Sequence, residues 1–278
     1  MSALKKKSVM LYIIMILVIL LSITIGYKII NKQISIDYQV NYDINKIENL
    51  DTEKDGKILN NKNLKIISYN IHRAKNSDNQ NRLNDIIIFL NEQNADIVCL
   101  QEVTSSQHNT IREITKTSGK FVANAKRAII SDGLATYSKY PIVESNHVLL
   151  TSKKEQRGFL HTSYKIEGKL INIINVHLGL DKSERAIQIS EIVSYIDSLK
   201  GETILVGDFN EKYIELENFT DTGKYHGYEN NPTFEALDTR IDYIFITTDS
   251  IYSTTYNVLK TDLSDHYPIM ANIRYKPK

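Results

Sequence analysis

Apolar residues recur along this chain in short runs, and each run ends on polar ones. Leu64 to Ser68, Asp96 to Gln101, Lys169 to Val176 and Thr203 to Val206 are rich in Ile, Leu and Val. Short apolar runs bounded by polar residues are what strands inside a layered protein look like. Asn81 to Gln93 instead puts Leu83, Ile86, Ile87 and Leu90 at helical spacing, and Lys182 to Lys200 does so with Ile189, Ile192, Val193 and Ile196. Both segments are therefore predicted to be amphipathic helices, and Ser106 to Thr117 a further one. Arg127 to Ile130, Gly133 to Ser138, His147 to Leu150 and Phe159 to Ile166 read as a meander of strands. Thr233-Phe234, after Pro232, reads as a strand start with Phe234 in the core. Asp242 to Thr247 and Pro268 to Tyr275 close the order. Strands outnumber helices and both ends of the region are β. That pattern predicts an α/β domain of two facing sheets flanked by helices, not one open parallel sheet.

The N-terminal pattern is of another kind. Val9 to Tyr27 carries no charge and follows Lys5, Lys6 and Lys7. At about 1.5 Å per residue a helix over it spans roughly 28 Å, the thickness of a bilayer's hydrocarbon core. The basic residues 1–8 are expected to stay cytoplasmic, with 9–27 a single transmembrane signal anchor and the rest outside the cell, at its membrane. A cleaved signal peptide is the competing reading, but no small-x-small site lies near Ser22 to Tyr27. Residues 28–63, rich in Asn, Lys and Asp, read as a linker in which Tyr38 to Tyr42 could form a short strand. Residues 64–278 are expected to be the catalytic domain.

Composition narrows this only in places. Of 278 residues, roughly 215 follow the linker, enough for one α/β domain with a core of its own. The net charge of +1 gives no whole-protein argument for nucleic acid. The one cysteine, Cys99, rules out an intramolecular disulfide, and its apolar neighbours make it a buried hydrophobe rather than a reactive thiol. No internal repeat is present in the domain.

The chemistry sits where the strands should end. Ser68-Tyr69-Asn70, Leu100-Gln101-Glu102, Asn175-Val176-His177, Gly207-Asp208-Phe209-Asn210, Arg240-Ile241-Asp242-Tyr243 and Ser264-Asp265-His266 each follow or interrupt an apolar run. Strand ends converge on a common rim in layered α/β proteins. Glu102 and Asn70 offer the oxygen donors that a hard divalent cation takes. Asp208 can orient or deprotonate a water, and the Asn210 amide can donate to a phosphoryl oxygen. A carboxylate such as Asp242 beside His266 would fix the imidazole tautomer and raise its basicity. Arg157 and Arg240 are candidates for gripping a phosphate. His72, close after Asn70, is a candidate for lining the site.

Taken together and in this order, the motifs resemble the endonuclease/exonuclease/phosphatase family, the DNase I-like metal-dependent phosphoesterases, over about Leu64 to Tyr275. The resemblance implies a four-layered sandwich of two β-sheets flanked by helices. It implies a Mg²⁺ site (Mn²⁺ as the alternative) at Asn70 and Glu102, with Asp265 beside the metal or the phosphate. Asp208 and Asn210 correspond to the water- and phosphate-orienting pair, Asp242 and His266 to the carboxylate–imidazole dyad, and His177 to a family histidine. The chain has no Trp, so the Trp-Asn signature of the abasic-site endonucleases is absent. Arg157-Gly158-Phe159-Leu160, with Glu184-Arg185 to Gln188, looks closest to a bacterial branch of unassigned hydrolases. The expected partners are a phosphate-ester substrate, phospholipid or nucleic acid, and the membrane through the N-terminal helix. No protein partner is implied. A tethered extracellular nuclease is the alternative function, and a non-catalytic binding protein on the same fold a third.

Overall fold

The structure, a computed structural model, describes residues 63–126, 131–248 and 251–275. The basic leader, the apolar anchor, the linker up to residue 62 and the strands read at Tyr38 to Tyr42 and Arg127 to Ile130 lie outside the described residues. Among those described, no helix is long and apolar enough to cross a membrane.

The strands are β1 (Asn63–Asn70), β2 (Ile97–Thr104), β3 (Ser118–Lys126), β4 (Ser131–Ser138), β5 (Glu144–Leu149) and β6 (Gly158–Ile166). They continue with β7 (Lys169–His177), β8 (Glu202–Asp208), β9 (Phe219–Asp221), β10 (Asp242–Thr247), β11 (Ile251–Val258) and β12 (Ile269–Tyr275). The helices are α1 (Leu83–Gln93), α2 (Ser105–Thr115), α3 (Lys182–Asp197) and the single turn α4 (Thr222–Tyr225). Two six-stranded mixed sheets result, ordered β11-β12-β1-β2-β4-β3 and β5-β6-β7-β8-β10-β9. Each has one parallel pair near its middle, β1 with β2 and β7 with β8, and antiparallel neighbours around it. Thr233-Phe234 forms only isolated bridges, to Thr239 and His266, instead of opening a strand.

The apolar runs face one another. Leu64, Ile66, Ile97 and Cys99 from the first sheet pack with Tyr164, Ile171, Ile173, Ile204 and Val206 from the second in one core. Ile192 and Ile196 of α3 join Ile174, Leu205 and Phe245 in a core on the second sheet's outer face. Burial pushes the Cys99 thiol far above its ordinary value, which leaves it inert at neutral pH. Helix boundaries have local causes. Thr104 and Gln107 form a reciprocal capping box that starts α2 one residue before the predicted Ser106. Asp181 caps α3, which stops at Asp197, short of the predicted Lys200.

A polar clasp joins the sheets. Gln101 donates to Asn175 Oδ1 at 2.8 Å, and the Asn175 amide donates to the carbonyls of Leu100 and Ala135 at 3.2 and 3.1 Å. Both side chains are wholly buried, where an unmade hydrogen bond is costly, so the contact selects one alignment of the sheets.

Three imidazoles outside the site set an acid limit. Burial holds His108, His147 and His161 below the ordinary imidazole value, His108 down to about 4. Between about 4 and 6.5 the unfolded chain binds protons that folded His108 refuses, so stability falls as pH drops through that window. The urea midpoint is expected to decline from about pH 6.5 downward, above the carboxylate range. His108→Gln is expected to flatten that slope; an unchanged slope would remove His108 as its source.

Candidate active site

Strand register assembles the site before any side chain is considered. In the second sheet His177 is opposite Asp208, and Asp208 is opposite Asp242, so three neighbouring strands present them in one row. In the first sheet Asn70 is opposite Gln101, which places Asn70 and Glu102 at adjacent strand ends. The segment before β12 carries Asp265 and His266. It is tied to β1 by Ser264, whose hydroxyl donates to the Asn70 carbonyl at 2.8 Å.

Asp208 is the centre. Its Oδ2 accepts from the Asn70 amide at 3.0 Å and lies 3.6 Å from both His177 Nε2 and His266 Nε2. Its Oδ1 accepts the Asn210 backbone N–H at 2.9 Å. Gly207, just before it, has φ +141, and a Cβ there would lie 2.1 Å from the Val176 carbonyl. Only glycine lets β8 approach β7 this closely.

His266 Nδ1 donates to Asp242 Oδ2 at 2.9 Å, which leaves Nε2 directed at Asp208. This bond links the strand lead of one sheet to a strand of the other. Asp242 is held by its own N–H and that of Ile241, both donating to Thr233 Oγ1, and Phe234 packs on the His266 ring at 4.7 Å. Burial alone would lower the His266 pKa, but the carboxylates of Asp242 and Asp208 override it and raise it. Asp208 is raised as well, by burial first and by the charge of Asp242. A proton is thus held between the two in the metal-free site, a coupled pair in which it belongs to neither group alone.

His177 has a fixed tautomer. Arg157 Nη1 lies 3.1 Å from its Nδ1, and a guanidinium can only donate, so Nδ1 accepts and neutral His177 carries its proton on Nε2, toward Asp208. Arg157 is buried and its other nitrogen pairs with Glu155 at 3.0 Å. It therefore lies behind His177 rather than in the open site. Arg240 is not brought to the site at all: both terminal nitrogens are bound to Asp221, at 2.8 and 2.6 Å. The Asn210 amide donates to the Leu178 carbonyl at 2.9 Å, joining two of the site's loops.

Glu102 is aimed by a bulge. The register between β2 and β4 shifts between Leu100 and Val103, and Glu102 sits there at φ +55. Bulges redirect side chains beside active sites, and the strained φ persists because its surroundings enforce it. His72, Arg73 and Ala74 are left-handed in succession, a turn that brings His72 Nδ1 to 3.5 Å from Asp265 and Arg73 to 3.8 Å from Glu102 and 3.6 Å from Asp132. The apolar pattern had given no sign of Arg73. A run of left-handed non-glycine residues is invisible to it.

Among the described residues, ligand atoms of Asp208, Asp242 and His266 fall within 4.8 Å of one another. Asp242 Oδ1 is buried without a hydrogen-bond partner among the described residues. Asn70 is bonded to Asp208 in that group, whereas Glu102 and Asp265 are held by Arg73 and His72; the oxygen-rich donors present are of the kind a hard divalent cation takes. An acid–imidazole pair, a central carboxylate and oxygen donors at neighbouring strand ends are groups that can move a proton and hold a cation.

The comparisons name the class. The profile of the Endonuclease/Exonuclease/phosphatase family matches residues 67–266, and the chain belongs to that family, whose members generally depend on a divalent metal. It is 28% identical over 246 residues to the uncharacterized protein YbhP of Escherichia coli K12, covering 75% of this chain and 95% of YbhP. It is 25% identical over 213 residues to a phospholipase C of Staphylococcus aureus, covering 56% of this chain and 63% of that one. Among solved structures, an endonuclease/exonuclease/phosphatase from Bacteroides vulgatus shares the fold with a TM-score of 0.66 at 21% identity, over 77% of this chain and 99% of that one. D. rerio TDP2 complexed with a single-strand DNA product does so with a TM-score of 0.65 at 18% identity, over 77% of this chain and 99% of that one.

Proposed function

We propose that this chain is a Mg²⁺-dependent phosphodiesterase or phosphomonoesterase, with Mn²⁺ able to substitute, acting on phospholipid head groups at the outer face of the membrane. The observation that carries the chemistry is the Asp242–His266 dyad turned toward Asp208, to which Asn70 is bonded; Glu102 and Asp265 are the further oxygen donors this reading assigns to the cation. A divalent cation held there would neutralise charge on the phosphoryl group. The rest is the chain's own work. Asp242 orients His266, His266 takes the proton from the attacking water with Asp208 as the alternative base, and the Nε2–H of His177, now beside Asp208, and the Asn210 amide hydrogen not bonded to Leu178 are the donors for the developing negative charge. The likeness to a phospholipase C and the uncharged segment Val9 to Tyr27 support a lipid substrate. The nuclease reading draws on the shared fold of TDP2 with its DNA product. The binding-protein reading requires a lost motif, and each of the sequence motifs is present.

The test sets the full chain with Mg²⁺ against phospholipids in mixed micelles and against single- and double-stranded DNA and RNA, with His266→Ala alongside. Lipid cleavage lost in the variant is the expected result; cleavage of nucleic acid alone would replace the lipid reading with a tethered nuclease. Removal of Glu102 tests the metal separately. Glu102→Ala is expected to weaken Mn²⁺ binding, read by electron paramagnetic resonance, by at least about tenfold, the loss that even an outer partner's removal brings. Unchanged Mn²⁺ affinity would take Glu102 out of the metal site.

A further inference from the structure

The turn after β1 is strained and tied down at both ends. His72, Arg73 and Ala74 have φ of 45°, 55° and 56° in succession. None is glycine, and the left-handed conformation is costly for a residue that carries a Cβ. Strain of this kind persists where surrounding contacts enforce it, and it clusters at sites of function. The enforcing contacts start from the centre of the site. The Asn70 side chain donates to Asp208 at 3.0 Å and accepts the His72 N–H at 3.0 Å. The Ile71 N–H donates to the Gln101 carbonyl at 3.1 Å. At the far end Gln107, the partner of Thr104 in the α2 capping box, donates to the Arg73 carbonyl at 2.6 Å. The turn thereby lays one basic side chain against each of two acids, His72 against Asp265 at 3.5 Å and Arg73 against Glu102 at 3.8 Å.

Arg73 differs from the other arginines around the site. The guanidinium of Arg157 is closed by His177 and Glu155 at 3.1 and 3.0 Å, and that of Arg240 by Asp221 at 2.8 and 2.6 Å. Arg185 is closed by Glu211 and by the carbonyls of Gly179 and Leu180. These three side chains are only 9%, 5% and 10% exposed. Arg73 is 28% exposed, and the two acids that face it, Glu102 at 3.8 Å and Asp132 at 3.6 Å, stand beyond hydrogen-bond reach. Its fork of N–H groups is held by charge and, among the described residues, makes no hydrogen bond. Asp132 is almost wholly buried and serves as an anchor. Glu102 is one of the oxygen donors assigned to the cation, so a divalent cation and the Arg73 guanidinium compete for one carboxylate. With Glu102 taken, the fork loses one of its two partners and turns to the anion beside it. During hydrolysis that anion is the phosphoryl group, whose oxygens match the spacing of a guanidinium fork.

We infer that Arg73 binds the non-bridging oxygens of the substrate's phosphoryl group and is released to do so when a divalent cation takes Glu102. The inference deepens the metal-dependent phosphoesterase reading and rests on it. It gives the phosphate an arginine in place of Arg157 and Arg240, whose N–H groups are already engaged.

Two binding measurements on the full chain test it: Mn²⁺ alone, read by electron paramagnetic resonance, and inorganic phosphate, read by calorimetry on the Mn²⁺-saturated protein. Arg73→Ala is expected to bind Mn²⁺ about two- to fivefold more tightly, because a partly exposed ion pair no longer competes for Glu102. The same variant is expected to bind phosphate at least about tenfold more weakly, because charge-assisted hydrogen bonds are lost. Arg73→Lys keeps the charge without the fork, so it should stay near the parent for Mn²⁺ and fall between parent and Arg73→Ala for phosphate. A purely structural role moves both affinities the same way, so a weakening of both in Arg73→Ala would overturn the proposal. Unchanged phosphate affinity would overturn it too, as would unchanged Mn²⁺ affinity. A parent chain that takes up no Mn²⁺ would sink the metal-dependent reading and this proposal with it. A parent that binds both probes, with Arg73→Ala matching it, would sink this proposal alone.

Discussion

His266→Ala is expected to lower kcat by about 10²- to 10⁴-fold, the range in which a positioned acid–base group contributes, while the far-ultraviolet circular dichroism stays that of the parent. The geometry gives the reason. The imidazole is bonded through Nδ1 to Asp242 at 2.9 Å and faces Asp208 through Nε2 at 3.6 Å, so its removal takes away both the proton's holder and the neutraliser of two buried carboxylates. Asp242→Asn keeps the shape but not the charge that fixes the tautomer, and a smaller loss is expected from it. The double variant should be little worse than His266→Ala alone, because residues that act as one unit are not additive. Multiplicative losses would show that Asp242 acts independently of His266, and a loss below tenfold in His266→Ala would pass its role to Asp208.

Arg240→Ala is expected to cost stability, not substrate affinity. The guanidinium makes two hydrogen bonds to Asp221, lies 4.3 Å from the Tyr243 ring centroid and is almost wholly buried. Asp221 also accepts from the backbone N–H groups of Gly223 and Lys224 to start α4. A Cβ on Gly223 would lie 2.4 Å from the guanidinium, so glycine is what lets the pair close. Removing one partner of such a buried pair leaves the other charged and unpaired, at about 3–5 kcal/mol. Urea unfolding of Arg240→Ala and Arg240→Lys should show that order of loss for Ala and a lesser one for Lys, with KM nearly unchanged in both. A raised KM at parental stability would return Arg240 to the phosphate.

What could be read in the sequence follows burial. The central strands β1, β2, β7, β8 and β10 are enclosed, and their Ile, Leu and Val runs announce them. The strands that the pattern missed, β3, β9 and β11, each lie at a sheet edge. An edge strand has solvent on one side, so Ser118 to Lys126 and Ile251 to Val258 include many polar residues and show no clean alternation. The site was legible for a related reason. Asn70, Glu102, His177, Asp208, Asp242 and His266 all terminate or adjoin enclosed strands; register sets His177, Asp208 and Asp242 in one row, and Asn70 and His266 meet Asp208 there. The partners of the two arginines were not legible, because a guanidinium's partner is set by tertiary contact: Asp221 for Arg240, His177 and Glu155 for Arg157. Glu184, Arg185 and Gln188 are buried on the polar face of α3, where they hold the loops at 150–153 and 178–181. Helical periodicity had left that face to solvent.

The bond from His266 to Asp242 crosses the seam between the sheets, with the Gln101–Asn175 clasp fastening the same seam deeper in. Each sheet alone owns only half a catalyst. Turnover is therefore a gauge of how truly the two halves are seated. A slight slide of one layer over the other would silence the enzyme while every strand kept its ladder, and in mild denaturant its chemistry should fail well before its secondary structure does.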